Sequence, residues 1–201
     1  MARIAVDVVL LPCEAMTNSA IELNRKLHGQ PDNGIVLNKD NCLPHVSLAM
    51  GCVDKERIGE IGRILRAVAL RYRRQDLRAV GIGFHTDCEG RKLSLLQIEA
   101  NETLQSLHEE LMQKLAPYFS YDAAAEMVLS AQPVDSATLY WIRGYGSKSS
   151  FGGFSPHITI GYGQLNLVFW PREFTASKLA LCHLGNHCTC RQVIVSAELA
   201  G

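Results

Sequence analysis

Residues 44–51 read Pro-His-Val-Ser-Leu-Ala-Met-Gly, and residues 156–163 read Pro-His-Ile-Thr-Ile-Gly-Tyr-Gly. Pro, His and the final Gly are kept, and Val46/Ile158, Ser47/Thr159, Leu48/Ile160 and Ala49/Gly161 are close replacements. Only Met50 against Tyr162 departs. A duplicated segment with one copy in each half of the chain predicts an internal duplication. Along an extended strand, residues two apart share a face. That rule puts His45, Ser47 and Ala49 on one face of the first copy and His157, Thr159 and Gly161 on one face of the second. The opposite faces, Val46/Leu48/Met50 and Ile158/Ile160/Tyr162, are apolar and suit packing, so Tyr162 reads as a core residue. A proline at the head of each copy fits the first position of a strand, where no ladder donor is needed.

Outward from these two segments the chain alternates between helical and extended patterning. Ile4, Val6, Val8 and Leu10 alternate with Ala5, Asp7 and Val9 in an opening strand. Met16, Ala20, Leu23 and Leu27 recur at helical spacing, with Gly29 placed to cap the helix end. A second helix opens at Asp54 as N-cap and carries Ile58, Ile61, Leu65, Val68 and Tyr72 on one stripe, with an arginine-rich outer face. A third follows Asn101, with Leu104, Leu107, Leu111 and Leu115 buried and Pro117 closing it. Asp135 caps a fourth over residues 136–145. Strands are expected at 77–84, 92–99, 157–162, 178–184 and 191–199, the last two joined as a hairpin at Gly185-Asn186. Several connections are too short for a parallel crossover, so the expected class is α+β with mixed or antiparallel sheets flanked by helices. No linker divides the chain, and residues 1–201 are expected to form a single domain.

The repeat carries chemistry. Two equivalent strands related by a pseudo-two-fold axis set one imidazole on each side of a shared point. An imidazole titrates near neutrality, so one can accept a proton from an attacking hydroxyl or water while the other protonates the departing oxygen. The Ser47 and Thr159 hydroxyls can donate to non-bridging oxygens as charge builds there. This suits in-line displacement at phosphorus without a metal or other cofactor.

Paired His-x-Ser/Thr motifs about a hundred residues apart in a chain of this length resemble the two-histidine (2H) phosphoesterase superfamily, which includes the 2′-5′ RNA ligase-like proteins and cyclic nucleotide phosphodiesterases. The resemblance covers most of the chain. It implies a bilobal α+β fold of pseudo-two-fold duplicated lobes, with both motifs lining the groove between them. It also implies a hydrolase acting on a 2′,3′-cyclic phosphate of a nucleotide or RNA end, or on a related 2′-5′ linkage. His45 and His157 would be the catalytic pair, and Ser47 and Thr159 the phosphate-binding hydroxyls. Some members carry a basic residue shortly after the motif; the equivalent places here are Met50 and Tyr162. A non-catalytic protein holding nucleotides or RNA ends in the same groove is the competing expectation.

Composition bounds the remaining choices. The 201 residues include 20 Lys+Arg against 20 Asp+Glu, and 47% are hydrophobic. That balance excludes disorder and coiled coil and speaks against a broad grip on duplex DNA. No apolar run approaches the ~20 residues that span a bilayer. Arg3 and Asp7 interrupt the opening apolar stretch, and the seven cysteines form no secretory framework, so a reduced cytoplasmic protein is expected. The cluster Cys182, His183, His187, Cys188 and Cys190 invites a zinc reading, but neighbouring strand positions point to opposite faces, and no metal is expected there. Near the second motif, Arg143 and Lys148 are candidates to reach a phosphate, and Tyr145, Phe151 and Phe154 to stack on a base. Surface charge and packing are the plainer expectations for them.

Overall fold

The computed structural model describes residues 2–27 and 34–201; the expected cap Gly29 lies outside them. Its strands are β1 (Arg3–Pro12), β2 (Val46–Asp54), β3 (Gln75–Thr86), β4 (Lys92–Ile98), β5 (His157–Tyr162), β6 (Arg172–Leu184) and β7 (Cys190–Glu198). Among the described residues four α-helices join them: α1 (Glu14–Arg25), α2 (Ile58–Ala69), α3 (Glu102–Leu115) and α4 (Ser136–Lys148).

Strand order is β1-β2-β5-β4-β3-β6-β7, and β1 also pairs with β6, so six strands close into a ring with β7 attached outside it. Every pairing between named strands is antiparallel, so the sheet is not mixed. β1 is paired on both sides and almost wholly buried, which explains its run of Ile, Ala, Val and Leu. The ring has two halves, β7-β6-β1-β2 and β5-β4-β3. On one side they are joined by β6, whose first residues pair with β3 and whose later ones pair with β1. On the other side they meet at a single pair, Val46 opposite Ile158.

The helices cross over between the halves. α1, which precedes the first motif, packs against β5; α4, which precedes the second, packs against β2 together with α3, and α2 lies against β7. In α3 the Asn101 side chain accepts the Leu104 N–H at 2.8 Å, and Leu104, Leu107, Leu111 and Leu115 are fully buried. Each such leucine contributes about 2 kcal/mol by leaving water. Asp135 caps α4 through the Ala137 N–H at 2.8 Å.

Other boundaries depart from local expectation. Asp54 does not cap a helix. It ends β2, its carboxylate meets Arg3 at 3.2 Å, and a turn at Lys55–Arg57 precedes α2. β6 begins at Arg172 rather than 178, because Arg172–Ala176 add to β3, a partner far away in sequence. The β6–β7 link is a five-residue loop closed by Gly185 N–H donating to Thr189 O at 2.8 Å, with His187 and Cys188 at φ 59° and 53°, in place of a two-residue turn.

Candidate functional site

The two motifs are structurally as well as chemically equivalent. Along Pro-His-x-Ser/Thr-x, both copies show the same rhythm: proline buried, histidine half-buried, apolar residue buried, hydroxyl residue half-buried, apolar residue buried. In each copy the imidazole Nδ1 lies 2.7 Å from the carbonyl two residues back, Leu43 O for His45 and Ser155 O for His157. A carbonyl only accepts, so Nδ1 carries the hydrogen in both rings and the neutral form keeps its lone pair on Nε2.

The pair Val46–Ile158 joins residues that occupy the same place in the repeat, as an antiparallel two-fold requires. Continuing that register sets His45 opposite Thr159 and Ser47 opposite His157, all four on the face turned away from Val46 and Ile158. The sequence-predicted quartet is thus brought together.

The third position of the predicted face is not part of it. Ser47 pairs with Val9 and Ala49 with Val8, so Leu48 is an extra residue, a β-bulge; Thr159 pairs with Leu95 and Gly161 with Ser94, so Ile160 is its counterpart. Paired residues share a face and consecutive ones do not. Ala49 and Gly161 therefore turn away from the motif face, while Met50 and Tyr162 turn onto it. Their small size serves the bulge and not an open site: Ala49 is fully buried and Gly161 sits at φ 153°, a region that favours glycine. Tyr162 is buried, as expected of a packing residue, but it packs on the motif face. Its hydroxyl lies 3.2 Å from Arg91 Nη2, and the guanidinium lies over its ring at 4.5 Å.

The bulges leave Leu48 O and Ile160 O out of the strand ladders, and each takes a donor from a buried helix residue. His108 Nδ1 of α3 lies 2.6 Å from Leu48 O, and Asn24 Nδ2 of α1 lies 2.7 Å from Ile160 O. Asn24 also donates to Ile35 O at 2.8 Å and accepts the Leu37 N–H at 3.0 Å. The other His108 nitrogen accepts the Phe151 N–H at 2.8 Å, and its ring stacks on Phe154 at 4.1 Å. These two residues hold the motif strands in place; sequence reading assigned them nothing, although a polar residue on an apolar helix stripe was the available signal.

Asp7 has no acidic mate across the two-fold, where Leu93 holds its place. Asp7 of β1 is fully buried, and its Oδ2 lies 2.6 Å from Ser47 Oγ and 4.0 Å from His45 Nε2. Oδ1 has no hydrogen-bond partner. Burial pushes the Asp7 carboxyl up to about 8, against the opposing pull of the Ser47 hydroxyl and the Ala49 amide. Burial likewise lowers His45 to about 4, opposed by the Leu43 carbonyl and assisted by the charge of His157. His157 is also lowered, by burial first, with the charge of His85 adding to it and the Ser155 carbonyl opposing. His85 lies edge-on to Trp141 at 4.8 Å between ring centres.

The cations expected near the second motif are engaged elsewhere. Arg143 donates twice to Ala123 O, at 3.1 and 2.7 Å, and Lys148 Nζ donates to Tyr140 OH at 2.9 Å. Arg91, which no sequence argument singled out, forks onto Asp135 at 2.7 and 2.9 Å and reaches Asp87 at 2.8 Å. Tyr145 is buried and Phe154 is stacked on His108, leaving Phe151 partly exposed. In the C-terminal cluster, Cys182 and Cys190 are buried with Val9 and Ala180, while His183 Nε2 lies 3.0 Å from Met127 O and His187 faces Tyr162. Among the described residues no group of three His, Cys, Asp or Glu is gathered as a metal would need, and all seven cysteines are free thiols. Among the described residues no helix is long and apolar enough to cross a membrane.

Similarity to known proteins follows the same lines. Among curated proteins there is no match. TT0787 of Thermus thermophilus is similar in structure with a TM-score of 0.64 and 16% identity, covering 98% of this chain and 99% of that one. E. coli LigT complexed with NADP+ gives 0.60 and 14%, and LigT complexed with 3′-AMP gives 0.56 and 15%, each covering 100% of both chains. These likenesses show the fold. Residues 38–181, well over half of the chain and both histidine motifs, match the model of the 2′-5′ RNA ligase superfamily, and the chain belongs to that family.

Proposed function

We propose that this protein is a phosphodiesterase that opens a 2′,3′-cyclic phosphate on a nucleotide or RNA end, or cleaves a related 2′-5′ linkage, by two-histidine acid–base catalysis. The observation that carries this reading is the single antiparallel pair Val46–Ile158, whose register sets His45, Ser47, His157 and Thr159 on one face. Each Nδ1 is tied to a carbonyl, so each Nε2 is the atom that exchanges a proton. One Nε2 takes the proton of the attacking water, and the opposite ring, protonated, returns one to the departing 2′ or 3′ oxygen. The Ser47 and Thr159 hydroxyls donate to the non-bridging oxygens as charge accumulates. No lysine or arginine is needed to complete these proton transfers. E. coli LigT, similar in fold, has been crystallised with 3′-AMP, NADP+ and phosphate, in keeping with a nucleotide-sized anion as the ligand.

The test is turnover of a panel of 2′,3′-cyclic nucleotides and 2′-5′ dinucleotides in the presence of EDTA. Hydrolysis with a bell-shaped pH profile, cut about 10³-fold in His45→Ala and in His157→Ala, is the expected result. Near-normal turnover in either variant overturns the two-imidazole mechanism. Nucleotide binding with no product across the panel leaves a binding protein that uses the same residues.

A further inference from the structure

The repeat is symmetric to a finer level than its sequence, which makes a difference on the motif face itself informative. β1 stands to β2 as β4 stands to β5. Leu10–Val46 matches Leu96–Ile158, Val9–Ser47 matches Leu95–Thr159, Val8–Ala49 matches Ser94–Gly161, and Asp7–Met50 matches Leu93–Tyr162. Asp7 is therefore the structural counterpart of Leu93. One half of the site holds an acid where the other holds a hydrocarbon.

From this geometry we infer that Asp7 is a positioning residue that works as a neutral carboxylic acid: its O–H donates to Ser47 Oγ, which frees the Ser47 proton for a phosphoryl oxygen of the substrate. Counting protons separates the two forms of the Asp7 carboxyl. A serine hydroxyl has one, and an ionised carboxylate only accepts. With Asp7 ionised, the 2.6 Å bond must consume the Ser47 proton, and Ser47 then faces an incoming phosphate with lone pairs alone. With Asp7 protonated the bond reverses direction, Oγ accepts, and its own proton points onward.

Three observations favour the protonated form. The carboxyl is fully buried, and among the described residues no lysine or arginine pairs with it. The groups that face or surround it are His45 and Ser47 on the β2 side, Cys182 opposite it on β6, Cys188 and Cys190 before and on β7, and Tyr145 of α4. Burial favours the neutral forms of His45, Tyr145, Cys188 and Cys190. Finally, Oδ1 has no partner, a cost that is milder for the carbonyl oxygen of a neutral acid than for half of a carboxylate. An anionic phosphate beside Ser47 pushes the same way, since it repels a second negative charge. A carboxylic acid held neutral so that it can donate is a known device of enzyme sites.

The inference rests on the proposed role of Ser47, so its test has one arm that does not depend on turnover. Sulfate keeps a constant charge across the working pH range, and its binding is followed by calorimetry in two buffers of different ionisation heat. Wild-type protein is expected to take up more protons on binding sulfate at pH 8.5 to 9 than Asp7→Asn does, because the anion returns Asp7 to its neutral form. Equal uptake by both overturns the inference whether or not any cyclic phosphate is turned over. In kinetics, log kcat/KM of the wild type should fall with one slope as the acidic imidazole loses its proton and about twice as steeply above pH 8. Asp7→Asn, whose amide donates to Ser47 at every pH, should keep turnover within about threefold at pH 7 and lose the second break. Asp7→Leu, the residue of the other half, should lose at least tenfold in kcat with no loss of stability. A persistent second break in Asp7→Asn, or full activity in Asp7→Leu, overturns the inference and leaves the two-histidine reading standing.

Discussion

Set side by side, the two motif halves differ less in shape than in surroundings. Backbone register, bulge position, imidazole tautomer and a side-chain donor to the bulge carbonyl are all shared. Asp7 facing Leu93 is not, nor is the company of each ring: His45 has a buried carboxyl 4.0 Å away, whereas His157 feels His85, which lies against Trp141. The lesson is that a duplicated strand reproduces geometry through its own sequence, whereas protonation belongs to what neighbouring elements bring. Here the difference comes from Asp7 of β1 beside His45 and from His85 of β3 beside His157.

The imidazoles carry the largest expected effects. His45→Ala and His157→Ala are each expected to lower kcat/KM about 10³-fold in a cyclic-phosphate assay, since general acid–base groups contribute 10²–10⁴-fold; a large inequality between the two would show that the halves divide the work unevenly. The hydroxyls come next. Ser47→Ala and Thr159→Val should each cost about 10- to 100-fold in kcat, and only the Ser47 variant should also alter the alkaline limb of the pH profile.

Smaller effects probe the supports. Asn24→Ala and His108→Ala each strand an equivalent buried carbonyl, so each should destabilise the fold by about 1–3 kcal/mol in urea titration. Unequal losses would measure how differently the two bulges are held. Stability against pH sharpens the contrast at Asp7. Its folded pKa is raised, so the folded state holds a proton that the unfolded chain has released, and the cost of burying the acid grows as pH rises from about 4 to about 8. Asp7→Leu should therefore raise Tm by several degrees at pH 8 and by little at pH 4. His45 has the opposite profile: with a lowered pKa, its stabilising contribution is complete above pH 6.5 and fades toward pH 4. Least affected should be Lys148→Ala, whose ammonium is held by Tyr140, with kcat/KM changed by less than twofold.

Much of this molecule was readable from residue order. The helical stripes of α2 and α3, the caps Asn101 and Asp135, the limits of β5 and the paired His-x-Ser/Thr motifs follow from spacing and residue type, which act over a few positions. The errors share a cause. Alternation through residues 45–49 and 157–161 predicted one continuous face, but a bulge at Leu48 and at Ile160 reverses it, and the bulge shows only in the register against β1 and β4. Asp54 resembled a helix cap until Arg3 took its carboxylate. Asp7 resembled a blemish in an apolar strand.

Residue types and their spacing along the chain were enough to single out the imidazoles and hydroxyls proposed to react, because imidazole, hydroxyl and strand alternation are properties of the local covalent chain. Which of those groups share a face, and which acid stays protonated, came from contacts between segments far apart in sequence. Strand register and dielectric surroundings are properties of packed neighbours, and β1 acquires both only when β2 and β6 close around it.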